Sequence, residues 1–189
     1  MSSAVWYFSR ATGLVSLVLF TGVVVLGALG AGRFATPAWP RFTVAALHRN
    51  LALTSLAFLV AHIASAILDG YVSLSWLDVV VPFGSAYQPL WVGFGAVAID
   101  LLLAIVVTSL LRTRIPPRAW RAVHWLAYLC WPVALVHGFG MAENDAAYGW
   151  IVAFDVLCVL AVLGAVAFRA TRHDADTATR KLSPLGGTR

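Results

Sequence analysis

The sequence predicts an all-α fold, a polytopic transmembrane helix bundle of about five spans, with the amino terminus outside and the carboxyl terminus in the cytoplasm. Three observations predict it. Hydrophobic residues fill 61% of the 189 positions and charged residues only 11%, too little polar surface to cover a soluble core. The apolar residues fall in runs long enough to cross a hydrocarbon layer of about 30 Å. The segments between those runs alternate between arginine-rich and acidic, which orients the chain in the bilayer.

The first run, Val5–Ala31, is longer than a signal-peptide core and lacks a basic segment before it, so it reads as a retained span. Arg33, Arg41 and Arg49 follow or flank the first loop. The second run, Thr43–Leu68, leads into a long loop from Asp69 to Pro89 that carries Asp78 and no Lys or Arg. Within it Ser73–Phe83 is apolar but too short to cross, and is expected at the outer interface, with Trp76, Phe83 and Tyr87 as a belt or lid. The third run, Leu90–Leu111, is followed by Arg112, Arg114, Arg118 and Arg121. The fourth, Trp120–Phe139, is followed by Glu143 and Asp145. The fifth, Gly149–Phe168, is followed by Arg169, Arg172, Arg180 and Lys181. Basic loops lie on the cytoplasmic side, which fixes the predicted orientation in a plasma or inner membrane.

Residues 1–170 are therefore expected to form one membrane domain, and residues 171–189 a polar, disordered cytoplasmic tail. The net charge of +5 is arginine beside membrane segments, and points to lipid and not to nucleic acid. Cys130 and Cys158 stand alone in apolar runs with no paired spacing, and read as small core residues.

Four of the five histidines lie inside these apolar runs, where an imidazole is costly without a task. His48 and His62 are 14 residues apart on the second span; His124 and His137 are 13 apart on the fourth. At helical rise each pair covers roughly 20 Å. Both spans run in the same direction, so His48 is expected level with His124 on the inner side, and His62 level with His137 on the outer side. Two neutral imidazoles from facing helices at each level are the ligand set for one haem per level. Hydrogen-bonded core histidines or a proton relay are the alternatives, and a zinc or iron transporter would want its ligands at one depth with carboxylates nearby. Fourteen helical steps return to within about 40° of the same face, whereas thirteen miss it by about 140°. The fourth span thus requires a distortion, which Pro132 is expected to cause.

Haem propionates need cations. On the inner side Arg49 adjoins His48, and Arg118 and Arg121 precede His124, although topology signalling explains these three equally. On the outer side Arg10 is the cation nearest the depth of His62 and His137. Trp131 lies about midway between the ligands of the fourth span, suited to packing between two haems or to ordinary core packing. Gly138 and Gly140 follow His137 and would permit close approach of a cofactor or helix. Asp100 and Asp155 fall inside spans, as proton-delivery groups or as neutral hydrogen-bonding carboxyls.

These residues resemble the ferric reductase-like transmembrane superfamily, which includes the membrane parts of ferric reductases, NADPH oxidases and metalloreductases, and the haem subunit of a methionine sulfoxide reductase system. The resemblance rests on the two histidine spacings, on Trp6-Tyr7-Phe8-Ser9-Arg10-Ala11-Thr12-Gly13, and on Pro116-Pro117-Arg118-Ala119-Trp120-Arg121 before His124. It extends to about Phe168. The first of the six spans common in the family has no counterpart here, and no GxGxxG follows a strand. The resemblance implies two haem b groups and electron transfer across the membrane. The donor would be a separate cytoplasmic flavoprotein or a membrane quinol, and the acceptor would lie outside. A histidine-relay proton or ion transporter without haem is the competing expectation.

Overall fold

The computed structural model describes residues 3–69, 73–142 and 149–182. Its helices are α1 (Ser3–Ala31), α2 (Arg41–Leu68), α3 (Trp76–Val80), α4 (Pro89–Leu110), α5 (Pro117–His124), α6 (Ala127–Met141) and α7 (Gly149–Leu182), with no strand among the described residues. Five helical stretches are long and apolar enough to cross a membrane: Ala4–Ala31, Arg41–Leu68, Pro89–Leu110, Pro117–Met141 and Gly149–Arg172. In hydrocarbon every backbone polar group must be satisfied within its own segment, which leaves the helix as the available form for such runs. Prolines mark the starts: Pro40 precedes α2, and Pro89 and Pro117 open α4 and α5, positions where a missing N–H costs nothing. The short α3 is closed by a capping box between Ser75 and Asp78.

The spans form two antiparallel pairs, α1 along α2 and α4 along α6, joined by contacts of α1 with α6 and α7. Val24, Trp131, Cys158 and Val162 form one buried cluster between α1, α6 and α7. Ala98, Ile105 and Cys130 form a second between α4 and α6, and Phe20 packs against both. Both cysteines are buried in these clusters. Many leucines and valines remain exposed, Leu53, Val60, Leu103 and Leu160 among them, as expected where lipid covers the outer faces.

The α1–α2 seam carries a polar link every seven residues. His62 meets the Ser9 carbonyl, Ser16 and Ser55 exchange hydroxyl-to-carbonyl hydrogen bonds, and His48 meets the Val23 carbonyl. A seven-residue repeat belongs to helices wound left-handedly at about 3.5 residues per turn. Fourteen residues then make about four whole turns, so the 40° shortfall of a straight helix vanishes.

The fourth span is broken between its two histidines. Pro132 lies within α6, and the irregularity is on its amino-terminal side, at Trp125 and Leu126 between α5 and α6. There Leu126, Tyr128 and Leu129 donate to the carbonyls three residues back, those of Val123, Trp125 and Leu126. Proline cannot supply a proton to the carbonyl four residues before it, here that of Tyr128, so the turn ahead of it is the one that tightens. Each three-ten step turns about 20° further and rises about 0.5 Å more than an α step. About five such steps bring thirteen residues to the angle of fourteen α-helical ones, at a length about 1 Å greater. The distortion therefore restores the phase of His124 and His137.

Helix α7 continues from the membrane to Leu182, since Ala, Arg and Lys are good helix formers and the polar backbone ladder persists in water. Residues 183–189 lie outside the described residues, as do Glu143 and Asp145 of the fourth loop.

Candidate functional site

The four histidines meet in two pairs. The imidazoles of His48 on α2 and His124 on α5 meet edge-on with ring centres 6.2 Å apart. Those of His62 on α2 and His137 on α6 do so at 6.4 Å. All four rings are half-buried.

Three of them are seated the same way. The Nδ1–H of His48 donates to Val23 O at 2.9 Å, that of His62 to Ser9 O at 2.8 Å, and that of His137 to Trp91 O at 2.8 Å. A carbonyl only accepts, so these bonds place the proton on Nδ1 and leave the Nε2 lone pair free to bind a metal. Four residues after each accepting carbonyl stands a glycine against which the ring lies. A Cβ at Gly13 would come within 2.8 Å of His62, one at Gly95 within 2.8 Å of His137, and one at Gly27 within 3.3 Å of His48. At Gly13 and Gly95 a larger residue would force the ring to shift, and at Gly27 it would press on the ring by a few tenths of an ångström.

His124 has no such seat. Its Nδ1 is buried without a hydrogen-bond partner, and its ring stacks on Trp120 at 5.1 Å and 25°. The stretch beyond it is gripped from α7, where Arg169 donates to Tyr128 Oη at 2.7 Å and lies over the Trp125 ring at 4.3 Å.

Two rings bound to opposite faces of one metal, with bonds of roughly 2.0–2.1 Å and about 1.1 Å from nitrogen to ring centre, stand about 6.3 Å apart. Both observed separations meet that value. The ring planes cross at 64° and 72°. Among the described residues no group of three or more His, Cys, Asp or Glu gathers as a metal site, and two donors per level suit a metal whose remaining positions are filled by a macrocycle. The two imidazoles at each level are a donor set that a haem iron could take up.

The other expected residues fall out as follows. Arg10 adjoins Ser9 at the His62/His137 level; its guanidinium donates to Met141 O at 2.8 Å and Ala142 O at 3.1 Å, capping α6, and lies over the Trp6 ring. Arg49, Arg118 and Arg121 are exposed near the His48/His124 level. Trp131 is buried against α1 and α7, its Nε1 donating to Thr21 Oγ1 at 2.9 Å, which is the core-packing alternative. Gly140 receives the Trp91 ring, so it serves a neighbouring helix, while Gly138 is exposed. Phe83 packs on Phe94 and over Gly93 at the start of α4, while Trp76 is exposed. Asp100 is exposed on α4, and Asp155 lines a small apolar cleft with Trp91, Leu135, Val136 and Phe139. Sequence reasoning missed the seats at Gly13, Gly27 and Gly95, the stack by Trp120 and the grip of Arg169. One signal was present: Gly13 and Gly27 share the 14-residue spacing of the histidines they face.

The model of one protein family, described as ferric reductase like transmembrane component, matches residues 12–135. The matched stretch covers roughly two-thirds of the chain, includes His48, His62 and His124, and stops just short of His137. No curated protein and no solved structure matches the chain.

Proposed function

The chain belongs to the ferric reductase like transmembrane component family, a transmembrane oxidoreductase class, and from that membership we propose that it is a dihaem b-type electron-transfer protein. It would pass electrons from a cytoplasmic flavoprotein or a membrane quinol to an acceptor outside. The observation that carries this reading is the meeting of His48 with His124 and of His62 with His137, ring centres 6.2 and 6.4 Å apart, as pairs that would hold a haem iron at each level. Haem held there would supply a ferric–ferrous one-electron couple.

The chain's own residues do the rest. The carbonyls of Ser9, Val23 and Trp91 hold three imidazoles in the tautomer that presents Nε2, and raise their strength as donors. Gly13, Gly27 and Gly95 let those rings reach the backbone. The alternation of basic and acidic loops puts the His48/His124 level inside and the His62/His137 level outside. Arg49, Arg118 and Arg121 are then available to propionates at the inner end. Arg10 secures the outer end of α6 four residues beyond His137. The packed apolar clusters of α1, α4, α6 and α7 keep water from the space between levels.

Purified protein tests the reading. Two haems and two irons per chain, with a sharp b-type band in the reduced-minus-oxidised spectrum, are expected. A colourless preparation that takes up no haem on reconstitution overturns it and favours a histidine relay.

A further inference from the structure

Three ligands are tied to a helix carbonyl and one is not, and the reason lies on α4. Trp91 and Gly95 seat His137 there. Two heptads further along, where an equivalent seat for His124 would lie, stand Ile105 and Ser109. Ser109, at the place of the glycine, carries a side chain, and its hydroxyl meets Trp120 Nε1 at 3.5 Å. His124 is also the last residue of α5, where the three-ten stretch begins, whereas the other three ligands lie within longer helices. An imidazole without an Nδ1–H acceptor is the poorer donor, and one at a helix end is the more easily displaced.

We infer that His124 is the exchangeable ligand, held in place by Trp120 and the Arg169 grip, so that a small neutral ligand can replace it at the inner site. This rests on the dihaem reading. The exchange is a substitution with no change of oxidation state: the bond from His124 Nε2 to iron breaks and the carbon of carbon monoxide takes the position. Trp120 and Arg169 are positioning residues. Trp120 stacks on the ring, and Arg169 fixes Trp125 and Tyr128 immediately beyond it. His48, opposite, keeps its carbonyl and stays.

Haem-loaded protein in lipid nanodiscs, reduced with dithionite and titrated with carbon monoxide, tests this. Haem and iron per chain are measured first; fewer than two of each sinks the dihaem reading itself, and two of each leaves the question to the gas. The expected result is a carbon monoxide spectrum from about half of the haem. That spectrum should persist in His62→Ala/His137→Ala and vanish in His48→Ala/His124→Ala. Arg169→Gln and Trp120→Leu should raise the affinity for carbon monoxide several-fold, with Arg169→Lys and Trp120→Phe near the parent. Uptake by neither site, by both equally or by the outer pair alone overturns the inference. So does unchanged affinity in Arg169→Gln and Trp120→Leu preparations that retain both haems.

Discussion

Ser16 and Ser55 exchange hydrogen bonds across the α1–α2 seam, each hydroxyl donating to the other's carbonyl, at 3.2 and 3.1 Å. They lie midway between the two histidine seats on the same seam, seven residues from each. The register that brings these serines together is the one that brings His48 to Val23 and His62 to Ser9. A slip of one residue would undo all three contacts.

Substituting either serine should loosen that register a little. Hydrogen bonds between membrane helices average about 0.6 kcal/mol. Ser16→Ala and Ser55→Ala should each lower thermal stability in detergent by a few degrees at most. The double variant should cost about the sum, because each substitution removes one hydroxyl and leaves the main-chain carbonyl that the other hydroxyl uses. A cost well beyond the sum would show that the two bonds hold the register as a unit.

The glycine seats should respond in proportion to their tightness. Gly13→Ala places a methyl 2.8 Å from His62, and Gly27→Ala one 3.3 Å from His48. Overpacking of this kind costs about 1–3 kcal/mol. Haem content at the outer level should fall sharply in Gly13→Ala, and the inner level should fall less in Gly27→Ala. Equal losses would mean that the rings move freely.

Removing one ligand should empty one level. His48→Ala and His124→Ala should each lose about half of the b-type signal and keep the rest, since the second pair is untouched. Haem quantified against protein by pyridine haemochrome decides it. Full retention in either variant would break the pairing.

Arg10→Ala leaves the Met141 and Ala142 carbonyls without their guanidinium. A buried acceptor that loses its partner costs about 1–3 kcal/mol. The spectrum of the outer level should broaden or shift while the inner stays, and Arg10→Lys should recover part of the loss. An effect shared equally by both levels would reduce Arg10 to a general fold residue.

Much of this arrangement is legible in the sequence, because length and hydropathy alone separate the spans and because four intramembrane histidines at two spacings have few other uses. What was not legible depends on which faces meet. Gly13, Gly27 and Gly95 look like ordinary span glycines until antiparallel register sets them under His62, His48 and His137. Arg169 looks like one more orientation signal until α7 brings it to Trp125 and Tyr128. A distortion by Pro132 is legible, whereas its seat at Val123–Leu129 depends on how the turn before the proline closes its hydrogen bonds.

The tightened stretch between Val123 and Leu129 acts as a vernier. It absorbs a missing residue by winding faster, so that both ends of the span stay aligned with a partner helix that is one residue longer over the same distance. Adding an alanine there would let the coil slacken to ordinary pitch with neither ring displaced, whereas the same insertion between His48 and His62 would throw one of them to another side of its helix.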